Sequence, residues 1–164
     1  MPNIYTYNLV AQAKGLETAQ MKESELLSTW LWAKHRTALQ WRNTRLGLLP
    51  TKELARMYMV TLRWVDAIFI ENGVVHLVEA KLTPQPGAIG QLELYQEIFK
   101  ITPEFSAYAE WPIKLILLTT RPDLSMIDLL SKKGIDYEIF TYDDVVATMK
   151  EMGRPILAEP KLPR

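Results

Sequence analysis

Asp66, Glu79 and Lys81 are brought together by one short piece of local structure. The segment Trp64-Val65-Asp66-Ala67-Ile68-Phe69-Ile70-Glu71-Asn72-Gly73-Val74-Val75-His76-Leu77-Val78-Glu79-Ala80-Lys81 places two apolar, β-branched runs on either side of Asn72-Gly73. That is the strongest short-range signal for a β-hairpin. With Asn72 and Gly73 as a two-residue turn, Glu71 faces Val74, Ile70 faces Val75, Ile68 faces Leu77 and Asp66 faces Glu79. Directly opposed residues hold their Cβ atoms about 5 Å apart. Lys81, two residues beyond Glu79, shares its face. Like charges opposed on a sheet destabilise it, so the arrangement calls for a neutralising group. A divalent metal ion held by hard oxygen ligands is the obvious one. The plainer reading is that Lys81 itself neutralises the two acids through a salt bridge.

A third acid can join them. Met21 to Arg36 reads as a helix rich in good helix formers, with Leu26, Leu27, Trp30 and Leu31 on one stripe. On a wheel of 100° per residue Glu23 falls near the middle of that stripe and Glu25 on the opposite side. An unpaired carboxylate on a buried stripe is expensive. The cheap explanation is that Glu23, in the first turn, favours the helix dipole. The functional one is that this helix packs on the hairpin face carrying Asp66 and Glu79 and brings Glu23 to the metal, directly or through water. His76 falls on the opposite hairpin face and is no ligand. His35, between Lys34 and Arg36, reads as a surface group.

The remaining chain bounds what such a site can be. The protein has 164 residues and no cysteine, enough length for a single domain with a real core and no means of forming a disulfide or a thiolate metal site. No stretch is long and apolar enough to span a bilayer, and Met1 to Val10 lacks the features of a signal peptide. The expected setting is the cytoplasm, a host's if the source is viral, away from membranes. Net charge is zero but unevenly spread. From Leu31 to Arg63 there are seven basic residues against one acid, and from Trp64 to Pro112 seven acids against two lysines. A basic block beside an acidic one suits a protein that offers cations to phosphates and carboxylates to a metal, although a solvated helix face has the same look. Arg42, Arg45, Arg56 and Arg63 are the candidate phosphate contacts. Tryptophans near the block, such as Trp32 and Trp41, could stack on nucleotides, while Trp30 belongs in the core.

These residues must be positioned by the elements around them. Residues 37 to 51 read as irregular, broken by Asn43, Gly47 and Pro50. Residues 51 to 62 fit a capped helix or an extended strand equally. After the hairpin, a Pro/Gly loop leads to a helix over 88–101, a buried strand over 114–120, a helix over 124–133 stopped by Gly134, a strand over 136–142, and a last helix capped by Asp143 and running to Met152. The core spans about 21–152, with loosely structured ends. Both faces of the hairpin are mostly apolar, with Ile68, Ile70, Val75 and Leu77 on one and Val65, Ala67, Phe69, Val74 and Val78 on the other. Such a sheet needs cover on both sides. The expected architecture is α/β: a three-layer α/β/α sandwich around a central mixed sheet, formed by one domain over 1–164.

Asp66, the hairpin and Glu79-Ala80-Lys81 together resemble the Asp…(Asp/Glu)-x-Lys core of the PD-(D/E)XK nuclease superfamily, which includes restriction endonucleases, Holliday junction resolvases and phage or repair nucleases. Glu23 in a preceding helix is similar to the resolvase branch. Gln91-Leu-Glu-Leu-Tyr95 resembles the Gln-x-x-x-Tyr element that follows the lysine in many members. The likeness covers about residues 21–142, and Val65 stands where many members have proline.

The resemblance implies a restriction endonuclease-like fold and a Mg²⁺-dependent DNA endonuclease, with Mn²⁺ as a substitute. Asp66, Glu79, the Ala80 carbonyl and Glu23 would be the metal ligands. Lys81 would orient the attacking water, and Gln91 and Tyr95 would position site and phosphate. A core Tyr with Gln at the helix start is the plainer reading of that last pair. The domain is too small for a separate sequence-reading module, which favours structure-specific or weakly specific cleavage. Cutting both strands would need two active sites, hence a homodimer. The competing expectation is a catalytically inactive member of the same fold, serving in nucleic-acid binding or in phage or transposition assembly.

Overall fold

The structure is a computed structural model that describes residues 21–48, 53 and 63–154. In chain order its elements are α1 (Glu23–His35), β1 (Leu39–Leu46), β2 (Arg63–Glu71), β3 (Val74–Ala80), α2 (Gly87–Phe99), a 3₁₀ segment (Pro103–Tyr108), β4 (Ile113–Thr119), α3 (Leu124–Lys132), β5 (Ile135–Ile139) and α4 (Tyr142–Glu151). The five strands lie in the order β1-β2-β3-β4-β5. The first three are antiparallel and the last two join in parallel. Parallel neighbours need a crossover, and α2 and α3 supply the two that are required.

The hairpin has the expected register. Glu71 pairs with Val74, Ile70 with Val75, Ile68 with Leu77 and Ala67 with Val78. Asn72 and Gly73 both take positive φ, 53° and 74°. That is the backbone of a type I′ turn, whose twist matches that of the strands it joins.

Each face of the sheet carries its own core. Under α2 and α3, Ile68, Val75, Leu77, Leu115 and Leu117 meet Leu92, Phe99, Met126 and Leu130. Under α1 and α4, Ala67, Phe69, Val78, Ile116 and Leu118 meet Leu26, Leu27, Trp30, Leu31, Val145 and Met149. The chain is thus an α/β fold with a mixed sheet between helical layers. Among the described residues no helix is long and apolar enough to cross a membrane.

Several elements differ from expectation. Residues 39–46 form a full strand where an irregular stretch is expected. It is an edge strand among those described, and only Leu46 is fully buried, so it carries almost no hydrophobic alternation to read. Asn43, taken as a breaker, sits inside it at φ 46°. The last helix is capped by Thr141, not Asp143: Thr141 Oγ1 accepts from the Asp144 amide at 3.1 Å and Asp144 Oδ2 accepts from the Thr141 amide at 2.9 Å, a reciprocal box. His35 is no free surface group. Its Nδ1 lies 3.1 Å from Glu71, and its ring stacks on Phe69 at 4.3 Å. The helix-or-strand question over 52–62 falls outside the described residues, Glu53 apart.

Candidate active site

The site forms where β2 and β3 run past the end of their ladder. One register step beyond Ala67–Val78 lie Asp66 and Glu79. Asp66 Oδ2 accepts a hydrogen bond from the Ala80 amide at 2.8 Å. Lys81 Nζ stands 3.3 Å from Glu79 Oε1. Glu79 is 3% exposed, and its other oxygen, Oε2, is buried with no hydrogen-bond partner among the described residues.

The electrostatics follow from that burial. Desolvation pushes the Glu79 carboxyl up to about 7, and the neighbouring Asp66 charge adds to the rise. Lys81 pulls the other way, and Glu23 adds a smaller upward push. Asp66 is also raised by burial, against the Ala80 amide, Lys81 and Arg42, which all favour its charged form. The two acids and the lysine therefore act on one another.

The faces are less simple than strand alternation predicts. Val65 packs in the core under α2 and Ala67 in the core under α1, although residues two apart on a strand ordinarily share a face. The alternation breaks at Asp66. Asp66 consequently opens onto the α1 side, while Glu79 shares the face of Leu77 and lies beside Tyr95 on the α2 side. Helix α1 packs on Ala67, Phe69, Val78 and Ala80, the face opposite to the one expected for it.

The helix still brings Glu23 to the site. A cavity of about 280 Å³ is lined by Glu23, Ser24 and Leu27 of α1, Arg42 and Asn43 of β1, Asp66 and Ala80. Glu23 is exposed at its rim rather than buried in the helix stripe. The buried stripe is Leu26, Leu27, Trp30 and Leu31. Glu25, on the other side, accepts the Lys22 amide at 3.1 Å and closes the helix start.

Arg42 is the candidate phosphate contact that reaches this cavity. Its Nη1 donates to Ser28 Oγ at 3.1 Å. Partial desolvation draws its guanidinium below the ordinary value, against the opposing pull of Asp66. Arg45 lies 3.4 Å from Glu104. Arg63 is exposed at the start of β2. Arg56 falls outside the described residues. Among the described residues the basic block does not form one surface: Arg42 borders the cavity while Arg45 is paired with Glu104.

The other expected contacts divide similarly. Tyr95 is buried, donates to the Trp64 carbonyl at 3.0 Å, and has its hydroxyl pKa raised by burial and by Glu79. It supports the strands from beneath rather than facing solvent. Gln91, one turn earlier, is exposed. Trp30 is in the core, Trp41 packs edge-on against Phe105, and Trp32 carries the Arg36 guanidinium 4.0 Å above its ring. His76 stacks flat on Phe69 at 4.2 Å, on the α1 side. Asn43 was not among the expected site residues. The only signal for it is an asparagine beside an arginine opposite Asp66, which without the strand reads as a turn.

The donor set suits a hard divalent cation. No three His, Asp or Glu side chains among the described residues form a ready-made cage. Asp66 and Glu79 are nevertheless neighbouring carboxylates, and Glu79 Oε2 has no hydrogen-bond partner by distance and angle among the described residues. Mg²⁺ is commonly held by one or two carboxylates, with water and substrate oxygens completing its shell.

No protein-family model matches the chain, and no curated protein matches it. Among solved structures it is similar to protein VC1899 from Vibrio cholerae, with a TM-score of 0.44 and 12% identity over 79% of this chain and 30% of that one. The chain thus spans less than a third of the length of that protein.

Proposed function

We propose that this is a metal-dependent endonuclease domain of the PD-(D/E)XK type, with a restriction endonuclease-like fold, that hydrolyses DNA phosphodiester bonds with structure-specific or weak sequence preference. The observation that carries the reading is the cluster at the ends of β2 and β3. Asp66 is held by the Ala80 amide, Glu79 is buried with one oxygen unsatisfied, and Lys81 stands 3.3 Å from it. Burying a carboxylate beside Asp66, with one oxygen left without a partner among the described residues, costs stability that a bound cation would offset.

Asp66 and Glu79 would hold Mg²⁺, or Mn²⁺ in its place, with Glu23 and the Ala80 carbonyl as the further ligands. When bound, the metal supplies Lewis-acid polarisation of a phosphate oxygen and lowers the pKa of a water. The Lys81 ammonium orients the attacking water and places positive charge where the phosphorus centre gains negative charge. Arg42 holds a phosphate of the strand within the cavity, and Leu27 excludes water from one wall. Double-strand cleavage calls for a second copy of the site, so a homodimer belongs to the proposal.

One observation favours a second reading, a nuclease-fold protein that binds nucleic acid or assembles without cutting. Burial pushes the Glu79 carboxyl up to about 7 and Glu79 does not line the cavity, as would suit a carboxylate that has become structural. Incubation with branched, single-stranded and linear duplex DNA in Mg²⁺ or Mn²⁺, alongside Asp66→Ala, separates the two. Cleavage by the wild type and none by the variant is expected. If the wild type cuts nothing, or the variant cuts equally well, the enzyme reading fails.

A further inference from the structure

We infer that Asn43 is a substrate-positioning residue, whose side-chain amide donates a hydrogen bond to the sugar–phosphate backbone of the strand entering the cavity. The inference deepens the nuclease reading and rests on it. In a regular strand, neighbouring residues point to opposite faces. Arg42 and Asn43 are neighbours on β1, yet both line the same cavity. Asn43 has φ 46°, a left-handed backbone that departs from regular strand geometry and lets two consecutive residues border one cavity. The pairs Arg42–Ala67 and Thr44–Val65 bracket it, which sets Asn43 across from Asp66, where the alternation of β2 also breaks. Irregularities on two adjacent strands thus bring Arg42, Asn43 and Asp66 to the wall of one cavity. Re-aiming a side chain beside an active site is a recognised use of such distortions.

A plainer explanation does less well. Strand irregularity can protect a sheet edge, and β1 is an edge among the described strands. Glycine serves that purpose without strain, and this chain does use Gly47, at φ 124°, just where β1 ends. Asparagine tolerates the left-handed region better than most residues and also brings an amide. The chemistry of the cavity gives that amide a use. Glu23 and Asp66 only accept hydrogen bonds when ionised, whereas a polyanionic strand needs donors. Arg42 supplies a charged donor and Asn43 a neutral one beside it.

The test compares wild type, Asn43→Gly and Asn43→Asp. Binding of a fluorescein-labelled oligonucleotide is followed by anisotropy in Ca²⁺, and cleavage in Mg²⁺. Asn43→Gly keeps the backbone and removes the amide. It is expected to leave thermal stability equal or higher, to weaken Kd and KM about tenfold, and to leave kcat within about threefold. Because the contact is to the backbone, the loss is the same for oligonucleotides of different sequence. Asn43→Asp adds a charge beside Asp66 and weakens binding further. Unchanged binding and KM in Asn43→Gly, or a fall in stability that accompanies the loss, overturns the inference. Wild-type protein that binds DNA without cutting it defeats the active-site reading but leaves Asn43 to be judged on Kd. Wild type that neither binds nor cuts overturns both.

Discussion

The Asp66 side chain accepts a hydrogen bond from the Ala80 amide at 2.8 Å. A carboxylate on β2 is thereby clamped to the one residue that separates Glu79 from Lys81. The bond fixes Asp66 where its strand departs from regular alternation, and it also satisfies an amide that is almost wholly buried. Asp66→Asn retains an acceptor for that amide, whereas Asp66→Ala leaves the donor without a partner. The asparagine variant is expected to be more stable than the alanine variant by about 1–2 kcal/mol in denaturant titrations, while both lose DNA cleavage. Equal stabilities would mean that the bond contributes nothing to the fold.

Burial of Glu79 has a pH signature. Its carboxyl is raised from 4.5 to about 7, so between these values the folded protein holds a proton that the unfolded chain has released. Stability falls as pH rises wherever the native state binds more protons. The loss begins near pH 4.5 and is complete somewhat above 7. The full effect is roughly 3 kcal/mol, and Asp66, raised in the same direction, adds to it. In EDTA, stability is expected to decline from pH 5 to pH 8. Glu79→Gln flattens that decline and is the more stable protein at pH 8. Mg²⁺ restores more stability to the wild type at pH 8 than at pH 5.5. A wild-type profile that is flat or rises over this range contradicts the burial argument.

What could be read in advance depended on whether a local rule had one solution. Asn72-Gly73 between apolar runs permits one tight turn, and from it the register that sets Asp66 opposite Glu79 follows. Gly134 at φ 70° ends α3 in the same local way. Strand β1 was illegible because it buries only Leu46 fully and carries a left-handed Asn43 in its interior. Its rules are those of an edge, set by pairing with β2 rather than by its own pattern. The side of the sheet taken by α1 differs from expectation for a related reason. Regular alternation through Asp66 puts α1 on the opposite face, and nothing in the order of residues announces the break. The cavity follows from these two irregularities, so Arg42 could be named as one of four arginines but not singled out.

Lys81 should matter in different ways to stability and to catalysis. Its ammonium is 3.3 Å from Glu79 Oε1, with the lysine side chain 19% exposed and the glutamate 4%. At pH 8, Lys81→Met removes the cation that favours the charged form of Glu79 and pushes its carboxyl further up, at a cost of roughly 1–2 kcal/mol, less than for a fully buried pair. At pH 5.5 Glu79 is protonated and the cost nearly vanishes. Cleavage is expected to fall by about 100-fold or more at either pH, since the charge is needed in the transition state. A loss of cleavage that merely tracks the loss of folded protein would assign Lys81 to the salt bridge alone.

Tyr95 is expected to support the site without touching DNA. Its ring is buried beneath the sheet and its hydroxyl donates to the Trp64 carbonyl at 3.0 Å, two residues before Asp66. Tyr95→Phe keeps the ring and removes that bond, for a loss of about 1 kcal/mol. Tyr95→Ala also empties its place in the core and costs about 3–5 kcal/mol. Because the hydroxyl acts on the strand that carries Asp66, the phenylalanine variant should cleave more slowly by less than about tenfold. Its affinity for labelled DNA in Ca²⁺ should equal that of the wild type. A weakened affinity with unchanged stability would place the hydroxyl on the substrate and reverse the assignment.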